Sequence, residues 1–145
     1  MAHLIPDAVA VVLAGGTDLL LVRAAWLHWT GSDRAPDVML GYSWNPSVVS
    51  GHERGIVALA ASALCLTGGV AAIDAAKGGA GLALVHIGAI FILGSIPWMA
   101  LHLAIAWFNW PKALVPPHRR GETGSVTEWW QQRAARDKST DRGGS

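Results

Sequence analysis

Two charged side chains interrupt the first long apolar stretch of this 145-residue sequence. Asp18 lies five residues before Arg23, which on a helix is a rise of about 7.5 Å with a rotation of about 140°, so a direct ion pair is unfavourable. Ionisable residues inside apolar segments often mark proton or ion paths. Asp18 is therefore either part of such a path or, as the default interpretation, a residue near the end of the segment that local packing satisfies.

Three histidines are candidate cofactor ligands: His28, His86 and His102. A b-type haem needs two imidazoles from different helices at matching depth. Measured from the ends of their segments, His28 and His102 differ in depth by about 10 Å, and His86 could pair only with His3. We therefore interpret each histidine as hydrogen-bonded or interfacial, and we predict no cofactor.

The single cysteine excludes an internal disulfide and a multi-cysteine metal cage. Ala61, Cys65 and Gly69 recur at every fourth position, with Ala58 and Ser62 on the adjoining ridge. Small residues at this spacing let two helices approach closely, and such approach drives helix association in lipid. We interpret Cys65 as a small packing residue and this face as a helix-packing surface.

Motifs that would indicate an enzyme are missing from the sequence. It has no phosphate-binding glycine loop, no paired-carboxylate site and no His-Glu metalloprotease spacing. Ser62 and Ser95 lack an evident base. We therefore predict a protein without enzymatic activity, with no catalytic residue and no metal site.

The elements that position these residues are three long apolar segments. Hydrophobic residues make up 52% of the chain and charged residues only 14%, against roughly a quarter in typical soluble domains. Crossing a hydrocarbon layer of about 30 Å takes about 20 helical residues. The runs are continuous rather than alternating, which favours helices over barrel strands. We predict an all-α integral membrane protein with three transmembrane helices; buried core helices of a soluble protein are the alternative.

The first span is expected at about 4–22 and the hairpin spans at about 55–73 and 82–108. The third span is long, and Pro97 predicts a kink in it. The chain is thus divided into an N-terminal segment with the first span (1–29), a cytoplasmic loop rich in turn formers (30–54), a transmembrane hairpin (55–110) and a cytoplasmic tail (111–145).

The tail is predicted to form one short amphipathic helix at about 126–137. Ser125 and Glu128 have the spacing of a capping box, and Trp129 and Trp130 follow at positions from which they could press against the bilayer. A solvated, frayed tail is the alternative. We expect disorder beyond Lys138, and no recognised motif for nucleic-acid binding accompanies the basic residues.

Basic residues and tryptophans predict the orientation. Ten of the 11 Lys and Arg residues fall on the side of the 30–54 loop and the tail, which places that side in the cytoplasm and the amino terminus outside. Trp26, Trp29, Trp107 and Trp110 lie at the ends of two spans on this side and form one expected aromatic belt. Residues 1–7 contain no Lys or Arg, so we interpret the first segment as a retained span rather than a signal peptide.

The expected function is that of a small membrane protein that acts by helix packing. Its partners are the lipid bilayer and either a second copy of itself or another membrane protein, as a homo-oligomer or an accessory subunit. The topology resembles that of small three-span bacterial membrane proteins of unassigned function. It also resembles the layout of class I phage holins, which implies a pore former as one alternative. A haem- or quinone-binding redox subunit is the other.

Overall fold

A computed structural model describes residues 4–35 and 46–143, and this part of the chain is helical without any strand. The all-α prediction is confirmed. The elements are five α-helices: α1 (Leu4–Trp29), α2 (Pro46–Arg54), α3 (Ile56–Ala75), α4 (Leu82–Phe108) and α5 (Ser125–Gly143). A π-helical turn covers Ala76–Ala80, and two 3-10 turns cover Lys112–Leu114 and Pro117–Arg119.

Helices α3 and α4 form an antiparallel hairpin that packs closely where two glycines face each other. A Cβ atom added at Gly69 would lie 2.7 Å from the carbonyl oxygen of Gly88, and one added at Gly88 would lie 2.7 Å from that of Gly69. Nearer the middle of α3, the Ser62 hydroxyl donates a hydrogen bond of 3.0 Å to the Ser95 carbonyl oxygen. Only residues without a Cβ permit the backbones to approach this closely.

The connection between α3 and α4 is a short polar turn. Gly79 and Gly81 have φ values of 97° and 91°, a left-handed conformation that costs glycine little. Asp74 and Lys77 form an exposed ion pair of 2.9 Å beside them. The turn therefore closes the hairpin with a charged and glycine-rich end.

Helix α1 packs against the first half of α3. Ala24 and Ala25 of α1 are buried with Ile56 and Ala60 of α3 in one small apolar cluster. A second cluster joins Ala58, Ile105 and Val115 and so links α3, the end of α4 and the following segment. Both clusters lie toward the end of the hairpin opposite the polar turn.

Part of the segment expected to be a loop is helical. Pro46–Arg54 forms α2, which packs against α4 and α5, while residues 36–45 lie outside the described residues. Pro46 begins the helix, where its missing N–H costs nothing. A nine-residue helix has little stability of its own, so the contacts of α2 with α4 and α5 decide its conformation.

Helices α4 and α5 differ in detail from the expected segments. Helix α4 runs through Pro97 as one continuous helix, and the bend predicted there stays a prediction. Helix α5 begins one residue before the expected start and continues to Gly143, so its backbone is helical where disorder was expected. The side chains of residues 129–136 are all exposed, and the rest of the described chain covers no face of this stretch.

Two helical segments of the described part are long and apolar enough to cross a membrane. They are Ile56–Gly79, with 24 residues, and Leu82–Phe108, with 27. Only 11% of the most apolar window of the second segment is buried, so the other described residues leave most of its apolar surface uncovered.

Candidate functional site

The end of the hairpin opposite the polar turn carries a layer of polar residues that we call the polar cap. It consists of α2, residues 109–124 and the first turn of α5. At its centre is Arg54, whose side chain is 0% exposed. Its Nη1 atom bonds to Glu122 at 2.9 Å and to Glu128 at 3.0 Å, and its Nη2 atom donates to the Ser125 hydroxyl at 3.1 Å. One buried guanidinium thus ties α2 to α5 and to the segment before it.

A second arginine extends this network. The Nη2 atom of Arg119 lies 2.8 Å from the Glu53 carboxylate, which is almost fully buried. Its Nη1 atom donates to the Ser50 hydroxyl at 3.2 Å, and that hydroxyl donates to Glu122 at 3.3 Å. Because Glu122 also binds Arg54, the cap holds two cations and three carboxylates in one connected network. The ion pairs of the buried Arg54 guanidinium offset the cost of removing its charge from water only while its carboxylate partners stay in place.

Close backbone approach holds α2 against the carboxyl end of α4. The Ser125 hydroxyl donates to the Ala106 carbonyl oxygen at 2.8 Å, and a Cβ added at Gly51 would lie 2.3 Å from that hydroxyl and 2.7 Å from that carbonyl. Asn109 ends α4 in the left-handed conformation with φ of 54°, and its side-chain amide donates to the Glu122 carbonyl oxygen. The path of the chain after α4 is therefore fixed by its polar side chains.

Two histidines form a second contact between α2 and α4. His52 Nδ1 lies 2.9 Å from His102 Nε2, and His102 Nδ1 lies 3.0 Å from the Gly55 carbonyl oxygen. A Cβ added at Gly55 would lie 2.6 Å from His102 Nδ1, so glycine is needed where α2 joins α3. Burial, followed by the nearby His102 ring, holds the pKa of His52 below its usual value of 6.5.

An open cleft of about 670 Å³ separates the end of α1 from the cap. Aromatic, imidazole and charged side chains line it together with several small residues. The lining residues are His28, Trp29, Thr30, Gly31, Ser32, Ala35, Glu53, Pro117, His118 and Arg119. Glu53 and Arg119 are already paired with each other across its wall. The cleft therefore adjoins the cap network.

The structure separates the three candidate histidines. His28 is buried at the end of α1 and lines the cleft. His86 is exposed, and its ring bonds to the Leu82 carbonyl oxygen one turn earlier. His102 lies 16 residues further along the same helix, about 24 Å away along its axis, and its two ring nitrogens are engaged by His52 and by the Gly55 carbonyl oxygen. His86 and His102 therefore cannot share one ligand.

The other predicted site residues fall on several surfaces. Asp18 is buried on α1, whereas Arg23 is exposed. Gly69 packs against α4, and Ala61 and Cys65 of the same series are half-buried. Of the tryptophans, Trp29 is half-buried at the cleft, and the others are exposed: Trp26, Trp107, Trp110, Trp129 and Trp130.

Sequence reasoning missed most of the polar cap. His52, Arg54 and Glu122 were not singled out, because the segments that hold them had the composition of a loop and a solvated tail. Glu128 was singled out only as part of a local capping box, not as a partner of Arg54. One signal could have pointed to α2: the polar run from His52 to Arg54 is flanked by glycines at positions 51 and 55, one helical turn apart. Glycines at that spacing are typical of close backbone approach.

The arrangement is suited to holding helices together and to binding protons. Among residues 4–35 and 46–143, no group of three or more His, Cys, Asp or Glu side chains is placed to hold a metal ion. Comparison with protein-family models, curated proteins and solved structures gives no match.

Proposed function

We propose that this chain is an integral membrane protein in which α1, α3 and α4 cross the bilayer and the polar cap lies at the cytoplasmic surface. The observation that supports this proposal is an exposed apolar belt between two polar ends. The belt covers α3 and α4 from the Asp74–Lys77 turn at one end to the cap at the other. Its length along the 20 residues of α3 is about 30 Å, which matches the hydrocarbon core of a bilayer.

The outer face of α4 is the clearest part of this belt. Ile90, Leu93 and Ile96 recur at helical spacing and are 68%, 64% and 62% exposed. Soluble monomers rarely expose a continuous apolar patch of this kind. Lipid would cover this face without any further protein contact, which favours the membrane over the alternative of soluble core helices.

Helix α1 is proposed as the third span. It has 26 residues, more than the roughly 20 that a crossing needs, and its contacts with the hairpin are made mainly through α3. Leu13, Leu19 and Leu20 are exposed on it, and the buried Asp18 is turned away from this lipid-accessible surface. Burial of the carboxylate is the arrangement that a low-dielectric surrounding favours.

The orientation is proposed from the basic residues. Arg54 and Arg119 of the cap, together with the tail, lie at one end of the helices, and Lys77 lies at the other. Positive residues accumulate on the cytoplasmic side of membrane proteins. The cap and the carboxyl terminus are therefore assigned to the cytoplasm and the amino terminus to the outside.

The activity proposed for the protein is that of a non-enzymatic subunit that acts by association with a second copy or another membrane protein. The contacts at Gly69 and Ser62 are made within the hairpin, so these positions of α3 are not available to a partner. A partner would instead meet the outer faces of α1 and α4. Association of helices in lipid depends on such complementary packing.

Membrane insertion and orientation can be tested with one set of variants. Cys65→Ala removes the only cysteine, after which Ala2→Cys and Ser145→Cys report on the two termini. In intact spheroplasts a membrane-impermeant maleimide is expected to label Ala2→Cys, and to label Ser145→Cys only after permeabilisation. The reverse pattern would overturn the orientation, and release of the protein by alkaline carbonate would overturn the insertion.

Association can be tested by measuring the mass of the purified protein. In a mild detergent, light scattering coupled to size exclusion is expected to give a dimer or larger assembly, or a complex with a second membrane protein. Leu93→Trp on the outer face should change that mass while the helix content stays constant. A monomeric species that survives both mild detergent and a native membrane extract would overturn the proposal of association and leave the proposal of insertion intact.

A further inference from the structure

The contact between His52 and His102 has no role in the ion-pair network of the cap. It joins α2 to α4 immediately beside Gly55, the residue that lies between the end of α2 and the start of α3. We propose that this histidine pair is a proton-operated latch. The hydrogen bond between the two rings holds α2 on α4, and α2 is released when both rings become cationic and the bond breaks. The proposal does not depend on the orientation of the protein in a membrane.

The positions of the protons follow from the acceptors. The Gly55 carbonyl oxygen can only accept, so His102 Nδ1 donates to it across 3.0 Å. In a neutral His102 ring the Nε2 atom then has a lone pair and must accept. His52 Nδ1 is therefore the donor across the 2.9 Å contact. One tautomer of each ring satisfies the whole arrangement.

The pair can take up one proton without breaking. The first added proton binds to the free lone pair of His52 Nε2, and the bond from His52 Nδ1 to His102 Nε2 remains. A second proton can bind only at His102 Nε2, the atom that accepts this bond. Two N–H groups would then face each other, and two cationic rings would have centroids only 5.0 Å apart. The bond cannot survive the second proton.

The charged groups near the histidine pair form ion pairs with one another. On α2 itself, Glu53 pairs with Arg119 and Arg54 pairs with Glu122 and Glu128. These five groups come from α2, from the segment that covers it and from α5, while α1 contributes His28 at the neighbouring cleft. Within residues 4–35 and 46–143, the hydrogen bonds and ion pairs of these five groups do not include the His52 or His102 ring. The described part of the chain therefore supplies no carboxylate bonded to the pair that would stabilise its doubly protonated form.

The lowered pKa of His52 also favours release of the latch in acid. Burial and the neighbouring His102 ring lower the pKa of His52, so the folded protein resists the first proton as well. Below about pH 6.5, the usual value of the imidazole, the released state gains protons that the latched state cannot hold. Acidification therefore favours separation of α2 from α4.

The movement of α2 can be measured in the full chain in detergent or nanodiscs. Val48 is exposed on α2, so a spin label on Val48→Cys in the Cys65→Ala background reports the mobility of this helix. The immobile fraction of the label is expected to fall as the pH is lowered from 8 to 5. In His52→Asn the amide retains a donor near the position of Nδ1 but cannot titrate, and the immobile fraction should stay constant.

The matched control is His118→Asn, which removes an exposed histidine outside the pair. It should retain the transition of the unmodified protein. If His52→Asn fails to fold, the imidazole nitrogen resonances of the wild-type chain provide a second test. The latch requires both rings to carry their proton on Nδ1 at pH 8 and to take up protons in two coupled steps. An unchanged transition in His52→Asn, no transition in the wild type, or independent titration of the two rings would each overturn the proposal.

Discussion

Arg54 at the end of α2 bonds to Glu128 of α5 across 3.0 Å, although the two residues are 74 positions apart in the chain. The guanidinium is completely buried, whereas the carboxylates of Glu128 and Glu122 retain access to solvent. The carboxylates could therefore be solvated if the arginine were lost. The arginine could not be solvated if both carboxylates were lost. Loss of the carboxylates should therefore destabilise the fold more than loss of the arginine.

We expect the double variant Glu122→Gln/Glu128→Gln to be the most damaging change in the cap. It leaves a buried cation without a countercharge, which typically costs about 3–5 kcal/mol. Arg54→Met should cost less, because the freed carboxylates can turn to water. Thermal unfolding in detergent, followed by circular dichroism, would measure both.

The control for this prediction is Asp74→Asn, which breaks the exposed ion pair with Lys77. Exposed pairs contribute less than about 1 kcal/mol, so its melting temperature should stay close to that of the wild type. Equal melting temperatures for Asp74→Asn and the double glutamine variant would contradict the importance assigned to the network.

The glycine contact in the hairpin predicts a position-specific response to alanine. Gly69→Ala should lower the melting temperature, because the new methyl group would lie 2.7 Å from the Gly88 carbonyl oxygen and force the helices apart. Gly94→Ala on α4 is the matched control, since an added Cβ there meets nothing within 4 Å. Alanine favours a helix over glycine by up to about 1 kcal/mol, so the control should be neutral or slightly stabilised. A similar loss in both variants would refute the close packing.

Gly51 allows the same test of close packing within the polar cap. Gly51→Ala gains about 1 kcal/mol of helix propensity, but its methyl group would lie 2.3 Å from the Ser125 hydroxyl and 2.7 Å from the backbone of Ala106. Overpacking against backbone costs about 1–3 kcal/mol, so destabilisation should win. Gly121→Ala, where no atom lies within 4 Å, should leave unfolding unchanged, and chemical denaturation would compare the two.

The stability of the chain should depend on pH through His52. Because its pKa is lowered in the folded state, the unfolded chain binds more protons in the window that begins below about pH 6.5, and the free energy of unfolding decreases as the pH falls. Above that window His52 is neutral in both states, and its stabilising contribution to the free energy of unfolding is fully present. Melting temperatures at pH 8, 6 and 5 would measure the slope, and the same slope in His52→Asn would assign it to another group.

The long helices followed from local sequence. Continuous apolar runs around Ile56–Ala75 and Leu82–Phe108 leave a helix as the only conformation that satisfies the backbone in an apolar surrounding. The turn between them followed from the gap between the spans expected at about 55–73 and 82–108, and Gly79 and Gly81 supply the positive φ values that few other residues adopt. Such features depend on neighbours within a few positions, and composition alone reveals them.

The polar cap could be settled only by tertiary structure. Ser125 and Glu128 have the spacing of a capping box, yet in the fold the Ser125 hydroxyl reaches Ala106 and both side chains bind Arg54. A hydrogen bond to a charged guanidinium is stronger than one to a neutral backbone amide, so the contacts of these side chains with α2 add a constraint that local spacing does not show. Helix α2 itself depends on the same distant partners. Local spacing determined the long helices, whereas contacts between residues about 70 positions apart decided that α2 is helical and which polar groups of the cap meet.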